Sequence, residues 1–161
     1  MKASSRIVPL LLILLALASC RKPAGDFMLI SAQEAAKNGG VFEFPLLLDD
    51  SLAVYSTFLA ARLDTGRLPG ATFDLVLRIT SPGGETAIER VSLPLTSHPD
   101  VASVRSEGPV TDFEWPYRDN IRVSGALLGD WKLSVTPADP ALMDAILGIG
   151  FSYKGKWEKG N

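Results

Sequence analysis

The chain of 161 residues has one cysteine and one histidine, and those two scarcities remove whole classes of chemistry. A single cysteine forbids an internal disulfide, so the domain must be held by its apolar core. A single histidine leaves no room for a His-based metal cluster or for a serine activated by histidine in the usual way. That histidine, His98, sits in a Pro/Ser-rich stretch and reads as a solvated loop residue. Strong charge of either sign is also missing. A formal net charge of -2 gives no reason to expect nucleic acid or anionic lipid as a partner. The oxygen-rich pairs Asp49-Asp50 and Asp119-Asn120 invite thoughts of calcium or of acid/base work. However, no spaced acidic loop of the calcium-binding kind accompanies them, and acidic residues in turns usually cap or are solvated. No cofactor, no metal and no catalytic residues are expected.

What is there begins at the start. Lys2 and Arg6 precede an apolar run over residues 7–16, and small residues lead from it to Cys20. A charged start, a short apolar core and a small-residue exit are the parts of an export signal. The run is shorter than the about 20 apolar residues that span a bilayer, and Pro9 weakens a long helix further. Leu17-Ala18-Ser19-Cys20 resembles the lipobox of bacterial lipoproteins. That resemblance implies diacylglycerol on the Cys20 sulfur, cleavage of the peptide bond before it, and acylation of the new amine. Each buried methylene contributes about 0.8 kcal/mol, so one acyl chain holds marginally and two or three hold stably. Loss of residues 1–19 leaves 142, the size of one domain, and moves the net charge to -4 because Lys2 and Arg6 leave too.

Residues 20–26 are polar, carry Pro and Gly, and read as a lipidated tether. Ser31 can cap a short helical turn through Ala36, which Asn38-Gly39-Gly40 ends. From residue 41 the period changes to two. Phe42, Phe44, Leu46 and Leu48 share one face, and Pro45 on the other marks an edge strand. Residues 52–63 fit either period, and their β-branched and aromatic content favours a strand. Phe73, Leu75, Leu77 and Ile79 alternate with polar and mixed residues, Ser81-Pro82-Gly83-Gly84 turns the chain, and Val91, Leu93 and Leu95 return it. Residues 72–95 are therefore a hairpin. Residues 96–110 read as a long surface loop and 112–124 as a strand interrupted by Pro116. A clear strand follows from Gly129, with Trp131, Leu133 and Val135 on one face. Asp139-Pro140 starts a helical turn through Met143, after which Leu147, Ile149, Phe151 and Tyr153 alternate with small and polar residues. The expectation is an all-β domain over 27–154 with a flexible tail at 155–161. Its architecture is an antiparallel β-sandwich or jelly roll of about seven to eight strands with one or two short helical turns.

Aromatic residues supply the remaining candidates. Phe113, Trp115, Tyr117 and Trp131 could stack on a sugar. Trp131 alternates with core residues and is expected inside, whereas Trp115 and Tyr117, flanking Pro116, are expected in an exposed patch. Trp157, among lysines near the end, suits contact with a partner or a membrane surface. The strand at 129–135 is also similar to strands of carbohydrate-binding sandwiches and of jelly rolls appended to secreted proteases.

The order of features looks like the gliding-motility-associated lipoprotein H family of Bacteroidetes. The shared outline is a lipobox cysteine, a Phe-Xaa-Phe strand at Phe42 and Phe44, a Tyr-containing strand ending in Arg62, and an apolar strand running into Ser81-Pro82-Gly83-Gly84. A Gly-Xaa-aromatic start at Gly129 and Trp131 follows, then Ile149-Gly150-Phe151 in the last strand. The resemblance implies an envelope lipoprotein accessory to gliding or to the associated secretion machinery, with envelope proteins as partners and no catalytic residues. Arg21 after the cysteine is not the Asp that retains many lipoproteins at the inner membrane, which favours an outer-membrane anchor facing the periplasm. A glycan-binding surface lipoprotein is the alternative that the aromatic residues suggest, and an uncharacterised hydrolase is a third.

Overall fold

Alternation of apolar and polar residues is the dominant local signal in the chain, and it is used in two stacked antiparallel sheets. A computed structural model describes residues 25–96 and 101–157. Its strands, in chain order, are β1 (Gly25–Ser31), β2 (Phe42–Leu48), β3 (Ala53–Asp64), β4 (Thr72–Thr80), β5 (Thr86–Pro94), β6 (Ser103–Glu107), β7 (Val110–Arg122), β8 (Gly129–Pro137) and β9 (Ile146–Trp157). One sheet has the order β1-β9-β3-β7-β6 and the other β2-β8-β4-β5. The first and last strands pair, and the second pairs with the last but one, so the chain wraps back on itself from its two ends inward. That nesting is a jelly roll, to which β6 adds one edge strand.

The inner faces follow the period of two. In β2, Phe42, Phe44, Leu46 and Leu48 are buried while Glu43, Pro45 and Leu47 face out, and β2 is the edge strand that Pro45 requires. Phe73, Leu75 and Leu77 of β4 and Leu133 and Val135 of β8 complete that wall. Leu59, Leu63, Ile149 and Phe151 belong to the facing one. Burial of each such side chain contributes about 1.5–3 kcal/mol, and without disulfides this core carries the fold. The β4–β5 turn closes as expected: Ser81 N–H donates to Glu85 O at 2.8 Å, and Gly84 takes φ +85°. A short helix, α1 (Ala32–Lys37), starts where Ser31 accepts from Glu34 N–H at 3.2 Å. It ends where Gly39 and Gly40 adopt positive φ.

Four expectations are corrected. The tether does not extend to residue 26, because β1 begins at Gly25, which pairs with Lys154. The tail does not begin at 155, because β9 continues to Trp157, which pairs with Ala53. The surface loop at 96–110 contains β6, joined to β7 by the two-residue turn Gly108-Pro109 with Gly108 at φ +65°. Every residue of β6 is exposed, so no buried alternation announces it. Finally, β7 runs unbroken through Pro116. β6 covers β7 only as far as Glu114, so Pro116 falls where β7 has become the sheet edge and its missing N–H costs no ladder bond there.

Candidate functional site

At the end of the sandwich where β3 begins and β9 finishes, the two sheets enclose a cavity of about 350 Å³. Leu46 and Leu48 of β2, Ile79 of β4 and Leu133 of β8 line one wall. Tyr55 and Thr57 of β3 with Phe151 and Tyr153 of β9 line the other. The β7 side is formed by an irregular segment. Between the pairs Tyr55–Ile121 and Phe58–Pro116, β7 spends two more residues than β3, and Asn120 there takes φ +56°. A bulge bends the strand that carries it and turns side chains to new directions, here Tyr117, Ile121 and Arg122 toward the cavity.

The polar atoms of this lining are already engaged. Tyr55 Oη accepts from Asp50 N–H and Tyr153 Oη from Leu47 N–H, each at 3.3 Å. Thr57 Oγ1 accepts from Arg118 N–H and donates to Arg118 O, both at 3.1 Å, satisfying the backbone that the bulge freed. Tyr117 Oη donates to Glu89 Oε2 at 2.9 Å, and the Arg118 guanidinium pairs with the same carboxylate while lying 5.3 Å from the Tyr117 ring centroid. Burial, the main cause, raises the pKa of both Tyr55 and Tyr117, so their phenols stay neutral donors at physiological pH. No buried side-chain nitrogen or oxygen among the described residues is without a partner. The open space faces mostly carbon.

The aromatic candidates divide differently from their sequence expectation. Trp115 is 1% exposed, stacked on Phe113 at 5.3 Å and 9°, with its Nε1–H donated to Pro94 O at 2.8 Å. It belongs to the core and offers no surface for a sugar. Alternation puts Trp115 in register with Phe113, and Pro116 does not break that register, so the inward face continues through it. Trp131 is the reverse case. It points inward, but it lies near the start of β8, at the end of the sandwich, so it is half-buried at the cavity mouth and donates its Nε1–H to Leu127 O at 2.9 Å. Tyr117 is half-buried in the cavity wall, and Trp157, 47% exposed, stands at the same end.

Both oxygen-rich pairs act locally. Asp50 accepts from Leu52 N–H at 2.8 Å and from the Trp157 indole N–H at 2.7 Å, and the indole bond is the chief reason its pKa is lowered. Asp119 accepts from the Ser56 hydroxyl, which lowers its pKa likewise. Among the described residues no three His, Cys, Asp or Glu side chains converge on a point. Cys20 and His98 lie outside the described residues.

A second surface lies on the outer face of the five-stranded sheet. Phe27 and Leu29 of the edge strand β1 are 59% and 52% exposed, and they lie over Gly150 and Gly148 of β9. A side chain at Gly150 would meet Phe27 Cε2 at 3.4 Å, and one at Gly148 would meet Leu29 Cδ1 at 3.4 Å. Beside them Arg62 forks onto Asp112 with bonds of 2.7 and 2.8 Å, which raises the pKa of the guanidinium and lowers that of the carboxyl. No protein-family model, no curated protein and no solved structure matches the chain.

Proposed function

We propose that the protein is a non-enzymatic lipoprotein of the bacterial envelope, anchored through Cys20 and acting by protein contact in a motility- or secretion-related assembly. The observation that carries the contact is the exposed pair Phe27 and Leu29. Two large apolar side chains lie on glycines at a sheet edge, rimmed by the Arg62–Asp112 fork, and apolar surface with a polar rim is the usual make-up of a protein interface centre. The anchor rests on the lipobox, and the assembly context rests on the family resemblance of the sequence.

Photo-crosslinking in intact cells tests the proposal. A crosslinker in place of Leu29 should capture an envelope protein, and one in place of Arg78, on the outer face of the other sheet, should not. Recovery of no envelope protein from position 29 would overturn the reading.

A further inference from the structure

Three features meet at one end of the sandwich. The apolar cavity opens there. The chain arrives there from Cys20, since Gly25 pairs with Lys154 and Asp26 with Tyr153, which itself lines the cavity. Large apolar side chains are also left in water there: Leu52 of the β2–β3 turn is 77% exposed, and Trp157 and Leu127 stand out from neighbouring segments. Four residues lie between Cys20 and Gly25, and the five steps from one to the other reach at most about 18 Å even fully extended. A lipid on Cys20 therefore holds this end, and not the opposite one, against the bilayer.

We propose that this end rests on the membrane and that the cavity receives one acyl chain of a bilayer phospholipid. The position of the membrane rests on the Cys20 anchor. The chemistry of the cavity does not. Its volume lies at the low end of the roughly 300–1,000 Å³ of small-molecule sites, and its walls are mostly aliphatic and aromatic, with Arg118 and Arg122 the charged residues among them. That suits a flexible hydrocarbon and offers a polar ligand little to bind. Trp131 at the mouth and Trp157 beside it have the amphipathic rings that favour the interfacial layer. The charged residues of the lining are Arg118, paired with Glu89, and Arg122.

The test uses the full chain in vesicles of phosphatidylethanolamine and phosphatidylcholine, part of the phospholipid carrying bromine midway along a chain. Bromine quenches an indole that it approaches. In Trp157→Phe the remaining tryptophans are Trp131 at the mouth and Trp115 in the core, so the Trp131 share of emission should be lost with brominated lipid. In Trp131→Phe, Trp157 should be quenched, which reports the docking itself. Ala87→Phe places a ring at the cavity rim without adding an indole. Combined with Trp157→Phe it should restore the Trp131 emission, whereas combined with Trp131→Phe it should leave the Trp157 quenching unchanged. Unquenched Trp131 in the open cavity overturns the proposal, as does quenching of Trp131 that Ala87→Phe leaves unchanged. Quenching of Trp131 by a free brominated fatty acid in plain vesicles, without quenching by the phospholipid, overturns the membrane source. The fatty-acid measurement repeated on Cys20→Ser separates the two readings: an unlipidated Cys20 in the mass spectrum strikes the anchor alone if that quenching persists.

Discussion

Trp115→Ala removes an indole that is 1% exposed, stacked 5.3 Å from Phe113 and 6.4 Å from Phe73, and bonded through Nε1–H to Pro94 O. Truncation of a buried Trp or Phe to Ala costs about 3–5 kcal/mol, and this site belongs near the top of that range. Its neighbours are other rings and β-strand backbone, which collapse poorly into the space. The lost hydrogen bond adds about 1 kcal/mol, moderated because the Pro94 carbonyl is only partly buried and can take a water instead. The expected total is about 4–5 kcal/mol. For a domain of this size each kcal/mol moves the melting midpoint by about 3–5 °C, so a fall of about 12–25 °C is expected. Trp115→Phe keeps the stack and should cost about 1–2 kcal/mol. Trp157→Ala, at an exposed site, should cost little. Urea unfolding followed by far-ultraviolet circular dichroism reads all three, provided the slope with denaturant is unchanged. A Trp115→Ala midpoint within about 1 kcal/mol of the parent would refute the placement of this ring.

Gly148→Ala is expected to loosen β1. Its new Cβ would sit 3.1 Å from Ile30 O, a backbone atom that cannot rotate away. A cost of about 1–3 kcal/mol should appear first as faster amide exchange in β1, and exchange confined to other strands would contradict it. Stability should depend on Asp112 in acid. Arg62 holds the folded carboxyl below its ordinary pKa, so the contribution is complete above about pH 4 and is lost as pH falls through the depressed value. The gap in urea midpoint between the parent and Asp112→Asn should therefore be small, since both partners are exposed. It should be present at pH 7 and shrink toward pH 2; a gap independent of pH contradicts the pairing. Ser31→Ala removes the cap that accepts from Glu34 N–H and should cost about 0.5–1 kcal/mol by the same urea assay.

Much of the fold was legible because a half-buried strand writes its burial into every second residue. β2, β4, β5 and β8 are strands of that kind, and their inner faces hold the residues expected there. In β9, which is buried on both faces, Ile149, Phe151 and Tyr153 are inside as expected, but Leu147 is exposed where a register shift skips it. β6 has both faces in water and so carries no such signature. The ends of β1 and β9 pair through glycine, lysine and aspartate, which announce loops when read singly. At the candidate site the failure was of a different kind. Pro116 suggests an exposed patch at Trp115, although its register with Phe113 carries it inside, and alternation places Trp131 on the inner face without giving its depth along the strand, which puts it at the mouth. The cavity depends on two extra residues in β7 relative to β3, and that mismatch exists only once the strands have been paired.

The wrapping of the two ends also sets the order in which the molecule can form. Gly25 finds its partner at Lys154 and Phe42 at Val135, so a chain made from its beginning holds β1 and β2 unpaired until β8 and β9 exist. Only the β4–β5 and β6–β7 hairpins can close early. Pairing over such separations requires long loops to be closed first and places folding among the slow topologies, from about milliseconds to seconds. For the exported lipoprotein proposed above, which would have to stay unfolded until it had passed an export channel, that delay is a property of the strand order.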